Sequence, residues 1–106
     1  MKYVNLTKHE IHELTSGLVL KPSSNPILVR TSTKVTRMHA GAPIMHTKVS
    51  SIRGLPEPLE GTIYIVPALA LNCILKDRTD VVAPGSVKKD ISGKVLGCIG
   101  FRSKGE

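Results

Sequence analysis

Ile27-Leu28-Val29-Arg30-Thr31-Ser32-Thr33-Lys34-Val35 is the stretch that decides the fold. Ile27, Val29, Thr31, Thr33 and Val35 fall on one side of a two-residue repeat. Leu28, Arg30, Ser32 and Lys34 fall on the other. Successive strand side chains point to opposite faces, so this pattern predicts a strand with one wet face. Gly41-Ala42-Pro43 breaks the run, and Ile44 to Arg53 predicts a second, longer strand with weaker patterning. Upstream, Lys21-Pro22-Ser23-Ser24-Asn25-Pro26 is a loop by composition.

Towards the N-terminus, Val4 and Leu6 alternate with polar neighbours and predict a short first strand. Thr7-Lys8-His9-Glu10 then fits a helix capping box, with Leu6 and Ile11 as its hydrophobic staple. Ile11 to Leu14, Thr15-Ser16-Gly17 and Leu18 to Leu20 fit two strands around a tight turn. A capped turn followed by a hairpin is the better reading, because the hairpin gives the apolar run after Gly17 an immediate partner.

Downstream, Leu55-Pro56-Glu57-Pro58 is an extended connection stiffened by proline. Thr62 to Val66 is the most apolar β-branched run and predicts a central strand. Pro67 suits the start of a helix over 68–75, buried along Leu71, Ile74 and Leu75 and ended by Lys76 and Asp77. Val81-Val82 predicts a short strand and Pro84-Gly85 a type II turn. Val87 to Asp90 and Lys94 to Arg102 predict a hairpin around Ile91-Ser92-Gly93.

These elements amount to an α+β fold, mainly β. We expect a single domain over 1–106: a partly closed antiparallel barrel or rolled sheet of about seven short strands, one end plugged by the helix. Residues 103–106 are expected to fray. Ile63, Ile65, Leu71, Val95, Ile99 and Phe101 are the expected core.

Bulk properties limit the function. The 106 residues are 41% hydrophobic and 22% charged, a folding composition rather than a disordered one. Tyr3, Tyr64 and Phe101 are the aromatics, so the core must be aliphatic. No apolar run reaches the roughly 18 residues a membrane span requires. Ile63 to Leu75, the longest, is interrupted by Pro67 and Asn72. Met1 to Asn5 does not read as a signal peptide, so a cytoplasmic protein is expected. Cys73 and Cys98, far apart and without a CxxC, are expected to be buried reduced thiols.

Catalytic and metal motifs fare poorly. His9-Glu10-Ile11-His12-Glu13 has its histidines three apart, whereas the zinc-protease motif needs them four apart on a helix. Glu57 with Glu60, and Asp77 with Asp80, are the close carboxylate pairs, and both lie in expected loops where such residues cap turns. No P-loop, dinucleotide fingerprint or nucleophile elbow is present. A small enzyme using His39 or His46 with Cys98 is a third-ranked reading. We therefore expect no enzyme, no catalytic residues, no cofactor and no metal.

Charge is the informative feature. The net charge is +7, and no acidic residue occurs from Leu14 to Pro56. That stretch carries Lys21, Arg30, Lys34, Arg37, Lys48 and Arg53, plus His39 and His46. Such a surface attracts phosphates or an acidic protein. Arg30, Arg37 and Arg53 are the expected anchors, since a guanidinium holds carboxylate or phosphate bidentately. Lys34 and Lys48 are expected to speed encounter. The alternative is that these charges only keep strand edges soluble.

Val4-Asn5-Leu6-Thr7-Lys8-His9 resembles the start of a family of short phage, prophage and actinobacterial proteins. Gly54-Leu55-Pro56-Glu57-Pro58-Leu59-Glu60-Gly61-Thr62-Ile63-Tyr64-Ile65-Val66 resembles its middle. Asp80 to Gly85 and Gly93 to Phe101 resemble its closing segment. Lys8 stands where that pattern has Pro, and Pro67 where it has Ser. Pro22 to Ile52 matches least. The resemblance implies no established activity, but it does imply a mobile-element setting, in which small inhibitors of bacterial defence such as anti-CRISPR proteins occur. The expected function is a non-enzymatic phage-type accessory protein that binds and inhibits a host protein or ribonucleoprotein complex with an acidic surface, such as a defence nuclease complex. The alternative is a basic module contacting the nucleic-acid backbone. No membrane partner is expected, and the oligomeric state is left open.

Overall fold

A computed structural model describes residues 2–74 and 78–104. Among them are eight strands and one short helix: β1 Lys2–Asn5, β2 Ile11–Glu13, β3 Leu18–Leu20, β4 Leu28–His39, β5 Ala42–Arg53, β6 Thr62–Ile65, α1 Ala68–Leu71, β7 Val81–Lys89 and β8 Val95–Ser103. Six strands form one sheet in the order β1-β6-β7-β8-β2-β3, while β4 and β5 pair only with each other. The mainly β fold expected from the sequence is therefore present. Its ladders are mixed rather than purely antiparallel: β1–β6, β6–β7 and β2–β8 run parallel, and β7–β8 and β2–β3 antiparallel.

The six-stranded sheet rolls until its edges meet. Where β1 and β3 approach, the buried Asn5 side chain bridges the seam. Its Nδ2 donates to the carbonyls of Leu20 at 2.9 Å and His9 at 2.8 Å. Its Oδ1 accepts from the Thr7 N–H at 2.9 Å and the Thr7 hydroxyl at 2.6 Å. The Ser23 N–H completes the seam on the Asn5 carbonyl at 2.9 Å. Asn5, rather than the Thr7–Glu10 box, thus caps the first turn, and the chain then enters the β2–β3 hairpin as expected.

Every strand of the roll lends a side chain to its interior: Tyr3, Ile65, Val82, Cys98, Phe101, Ile11 and Leu20 pack together there. A second cluster covers the outer side of β6 and β7. There Tyr64, Val66, Val81 and Ala83 meet Leu71 and Ile74 and the half-buried Val29, Ile52 and Leu55. The helix therefore lies against the outer face of the sheet and does not plug an end. It closes at Asn72 after Leu71, and the predicted end at Lys76 and Asp77 lies outside the described residues. Lys104 Nζ donates to the carbonyls of Asn72 at 2.7 Å and Ile74 at 2.6 Å. Those bonds, with β8 running to Ser103, hold Ser103 and Lys104 in place, while Gly105 and Glu106, the rest of the tail expected to fray, lie outside the described residues.

Several expectations need correction. Pro84-Gly85 is not a turn: β7 passes straight through it. On β7 only Val81 and Val82 pair with β6, so the side of β7 beyond them asks no N–H of Pro84. A Cβ on Gly85 would strike the Ile99 carbonyl oxygen, which is why the backbones can approach only with glycine there. Of the expected core, Ile65 and Leu71 are buried and Ile63 and Phe101 half-buried, but Val95 and Ile99 are exposed. Gly100, at φ 68°, interrupts the alternation of β8, so the interior takes Cys98 and Phe101, three apart, instead of the odd-numbered row. Cys98 is the buried thiol expected, while Cys73, past the end of α1, is exposed.

Candidate functional site

β4 and β5, 12 residues each, form a two-stranded arm. A 12-residue strand is about 40 Å long at about 3.3 Å per residue. The arm accounts for the extension of the molecule: its radius of gyration is 16.0 Å, against about 13 Å for a compact domain of this length. His39 pairs with Ala42 across a two-residue turn, Ala40-Gly41, in which both residues have positive φ, 49° and 81°. This is the type I′ geometry that matches strand twist.

The ladder decides which side chains share a face, because directly paired residues do. Arg30 pairs with Ser51, Ser32 with Lys48, and Lys34 with His46. Two irregularities interrupt the register. Thr36 is an extra residue on β4, between the Val35–Met45 and Arg37–Ile44 pairs. Ser50 is an extra residue on β5, between Val49–Thr31 and Ser51–Arg30. Each sends its hydroxyl across the ribbon to a partner-strand carbonyl, Thr36 to Ile44 at 3.1 Å and Ser50 to Arg30 at 3.2 Å. The bulges thereby satisfy acceptors as they break the ladder.

Their effect on the faces is decisive. Lys34 and Arg37 are an odd number of residues apart, as are Lys48 and Arg53, so strict alternation would put each pair on opposite faces. One bulge inside each interval restores parity. Arg37 shares the face of Ile44, and hence of His46 and Lys48. Arg53 shares the face of Leu28, and hence of Arg30. All seven basic and imidazole groups of the arm, the five expected contacts plus His39 and His46, lie on one face.

The opposite face carries no charge. It comprises Val29, Thr31, Thr33, Val35 and Met38 with their cross-strand partners, and Thr33 and Thr47 share a hydrogen bond of 2.7 Å. At its base Val29 and Ile52 pack on the outer core cluster. At the base of the arm the basic face is therefore the side turned away from that cluster.

Several of the groups weighed elsewhere in the sequence have structural partners, and Asp77 lies outside the described residues. Arg78 holds Asp80 through Nε at 2.9 Å and binds the Pro56 carbonyl at 2.9 Å, fixing the proline-rich connection. The guanidinium keeps the Asp80 carboxyl below its usual range. His12 pairs with Glu10 at 2.7 Å on the exposed side of β2. Burial raises the Cys98 thiol, the opposite of what a nucleophile needs. His39, at the arm tip, and Cys98, inside the barrel, stand on different parts of the molecule. Among the described residues no three His, Cys, Asp or Glu side chains gather as a metal site, and no helix is long and apolar enough to cross a membrane.

What sequence reading missed is the pair of bulges, and with them Ser51, which joins Ser32 on the basic face. The odd spacings Lys34–Arg37 and Lys48–Arg53 were the available signal. Comparison with protein-family models, curated proteins and solved structures finds no match to this chain.

Proposed function

We propose that this chain is a non-catalytic binding protein of a phage or related mobile element, acting in the bacterial cytoplasm. It lays the basic face of its arm on a host macromolecule and blocks it. The observation that carries this reading is the gathering of every basic side chain of the arm on one outward face. A ribbon held in β structure loses little freedom on docking, so its charges act together. The resemblance to short phage proteins supports nuclease defence as the process blocked, and the basic face suits a row of negative groups on the nuclease complex or on the nucleic acid it acts on. The five residues Arg30, Lys34, Arg37, Lys48 and Arg53 are the proposed contacts.

The test is plaque formation on hosts with active nuclease defences, with and without the chain, alongside recovery of bound host components. The wild-type chain should restore plaques and bring down a stoichiometric complex. A triple Arg30→Glu, Arg37→Glu, Arg53→Glu variant should do neither while folding normally. Full activity in that variant would sink the reading and move attention to the loops around Glu57 and Asp80.

A further inference from the structure

We infer that the basic face binds double-stranded DNA, with the arm lying along the major groove. The inference rests on the reading above that this face is the contact surface, and it names phosphates rather than carboxylates as the partner groups.

Shape comes first. A major groove about 12 Å wide admits a two-stranded β-ribbon. The arm is such a ribbon. Its length of about 40 Å covers roughly one helical turn, about 34 Å. Val29 and Ile52 tie the uncharged face to the body, so the charged face is the one a duplex meets.

Chemistry agrees. Basic groups recur at successive levels of the ladder, from Arg30 and Arg53 near the base to Arg37 near the tip. That continuous row suits the regular charge of a duplex better than the scattered carboxylates of a protein surface. Ser32 and Ser51 add neutral donors on the same face, of the kind that contact phosphate. No acidic residue interrupts the face.

Single strands fit less well. Binding them relies on aromatic platforms for stacking, and the arm has none: Tyr3, Tyr64 and Phe101 all belong to the barrel. Duplex RNA fits less well because side chains cannot enter its deep, narrow major groove.

The experiment is fluorescence anisotropy of the full chain with a labelled 20-base-pair DNA duplex, its single strand and the matching RNA duplex. Poly-glutamate serves as competitor. With five phosphate contacts, affinity for the DNA duplex should fall roughly 500-fold between 50 and 200 mM salt, a log–log slope near −4.5. The triple Arg→Glu variant should lose roughly 100-fold at low salt and flatten the slope by about three. A Lys88→Glu, Lys89→Glu, Lys94→Glu variant changes net charge equally on another hairpin, and should bind within a few-fold of wild type.

Equal losses in the two variants would overturn the inference, since charge alone would then explain binding. So would single-stranded DNA or duplex RNA binding as tightly as duplex DNA. Poly-glutamate displacing the duplex at equal charge would overturn it too, while leaving the arm as the contact surface for an acidic protein. If the arm variant also keeps full activity against the host defence, the broader reading falls with it.

Discussion

The Glu13 carboxylate accepts the Gly100 backbone N–H at 2.7 Å, joining residues 87 positions apart in the chain. It also accepts the Ser16 hydroxyl at 2.6 Å and the N–H groups of Ser16 and Thr15. One buried side chain thus closes the β2–β3 turn and pins that hairpin to β8. These donors, Gly100 foremost, hold its carboxyl at about 2, against the usual 4.5. A folded-state value below the unfolded one means that the ionised carboxylate stabilises the fold above the unfolded value, and that this is lost as pH falls towards 2. Thermal melts from pH 7 to pH 2 should show Glu13→Gln less stable than wild type at neutral pH, with the gap closing in acid. A constant gap would mean the carboxylate charge is not the stabilising feature.

Asn5 closes the seam of the barrel with both ends of its amide. Asn5→Ala leaves the half-buried Leu20 carbonyl without its side-chain donor and the Thr7 N–H without its acceptor, a loss of about 1–3 kcal/mol. Asn5→Asp should be worse, because it turns an acceptor towards the Leu20 and His9 carbonyls. Hydrogen exchange at Ser23, whose N–H bonds the Asn5 carbonyl, should accelerate in both variants. Unchanged exchange would mean that the seam holds without the side chain.

Ile65 is fully buried inside the roll. Ile65→Ala should cost about 2–5 kcal/mol. Phe101 is half-buried against Tyr3, with ring centroids 5.3 Å apart, so Phe101→Ala should cost less than Ile65→Ala. Val95→Ala and Ile99→Ala should stay within about 0.5 kcal/mol, as exposed positions do. Urea denaturation of the four variants gives the order directly, and a large loss at Ile99 would invert the assigned faces of β8.

Ala40 is the one residue other than glycine with positive φ among those described, at 49°. Its side chain disfavours that conformation, and the type I′ turn prefers Asn or Gly there. Ala40→Asn or Ala40→Gly should stabilise the arm by up to about 1 kcal/mol. Slower amide exchange at the neighbouring pairs, without change in the barrel, would register it.

Much of the fold was legible because alternation is legible. Ile27 to Val35 declared its faces, Thr62 to Val66 its central place, and Thr15-Ser16-Gly17 its hairpin. The failures share one cause: parity changes that residue type does not announce. Gly100 shifts the inward row of β8, so Val95 and Ile99 read as core and are not. Pro84-Gly85 reads as a turn because the signal for a turn and for an unpaired strand side is the same pair of residues. The five basic residues were identifiable from the acid-free stretch, but their meeting on one face depended on Thr36 and Ser50. Which residue drops out of a ladder is settled by pairing across the ribbon, which no single strand encodes.

The two bulges also decide how the arm tolerates changes in length. Thr36 and Ser50 lie outside the pairing count, so deleting either leaves a regular ladder with the same residues opposite one another and the charged row unbroken. A deletion at Thr33 or Thr47, inside the count, turns over everything on that strand between the deletion and the tip unless the ladder slips to absorb it. The arm can therefore lose a residue at two places while keeping its polarity, so that one side stays cationic and the other neutral. Length variation among chains built on this plan should collect at those two joints.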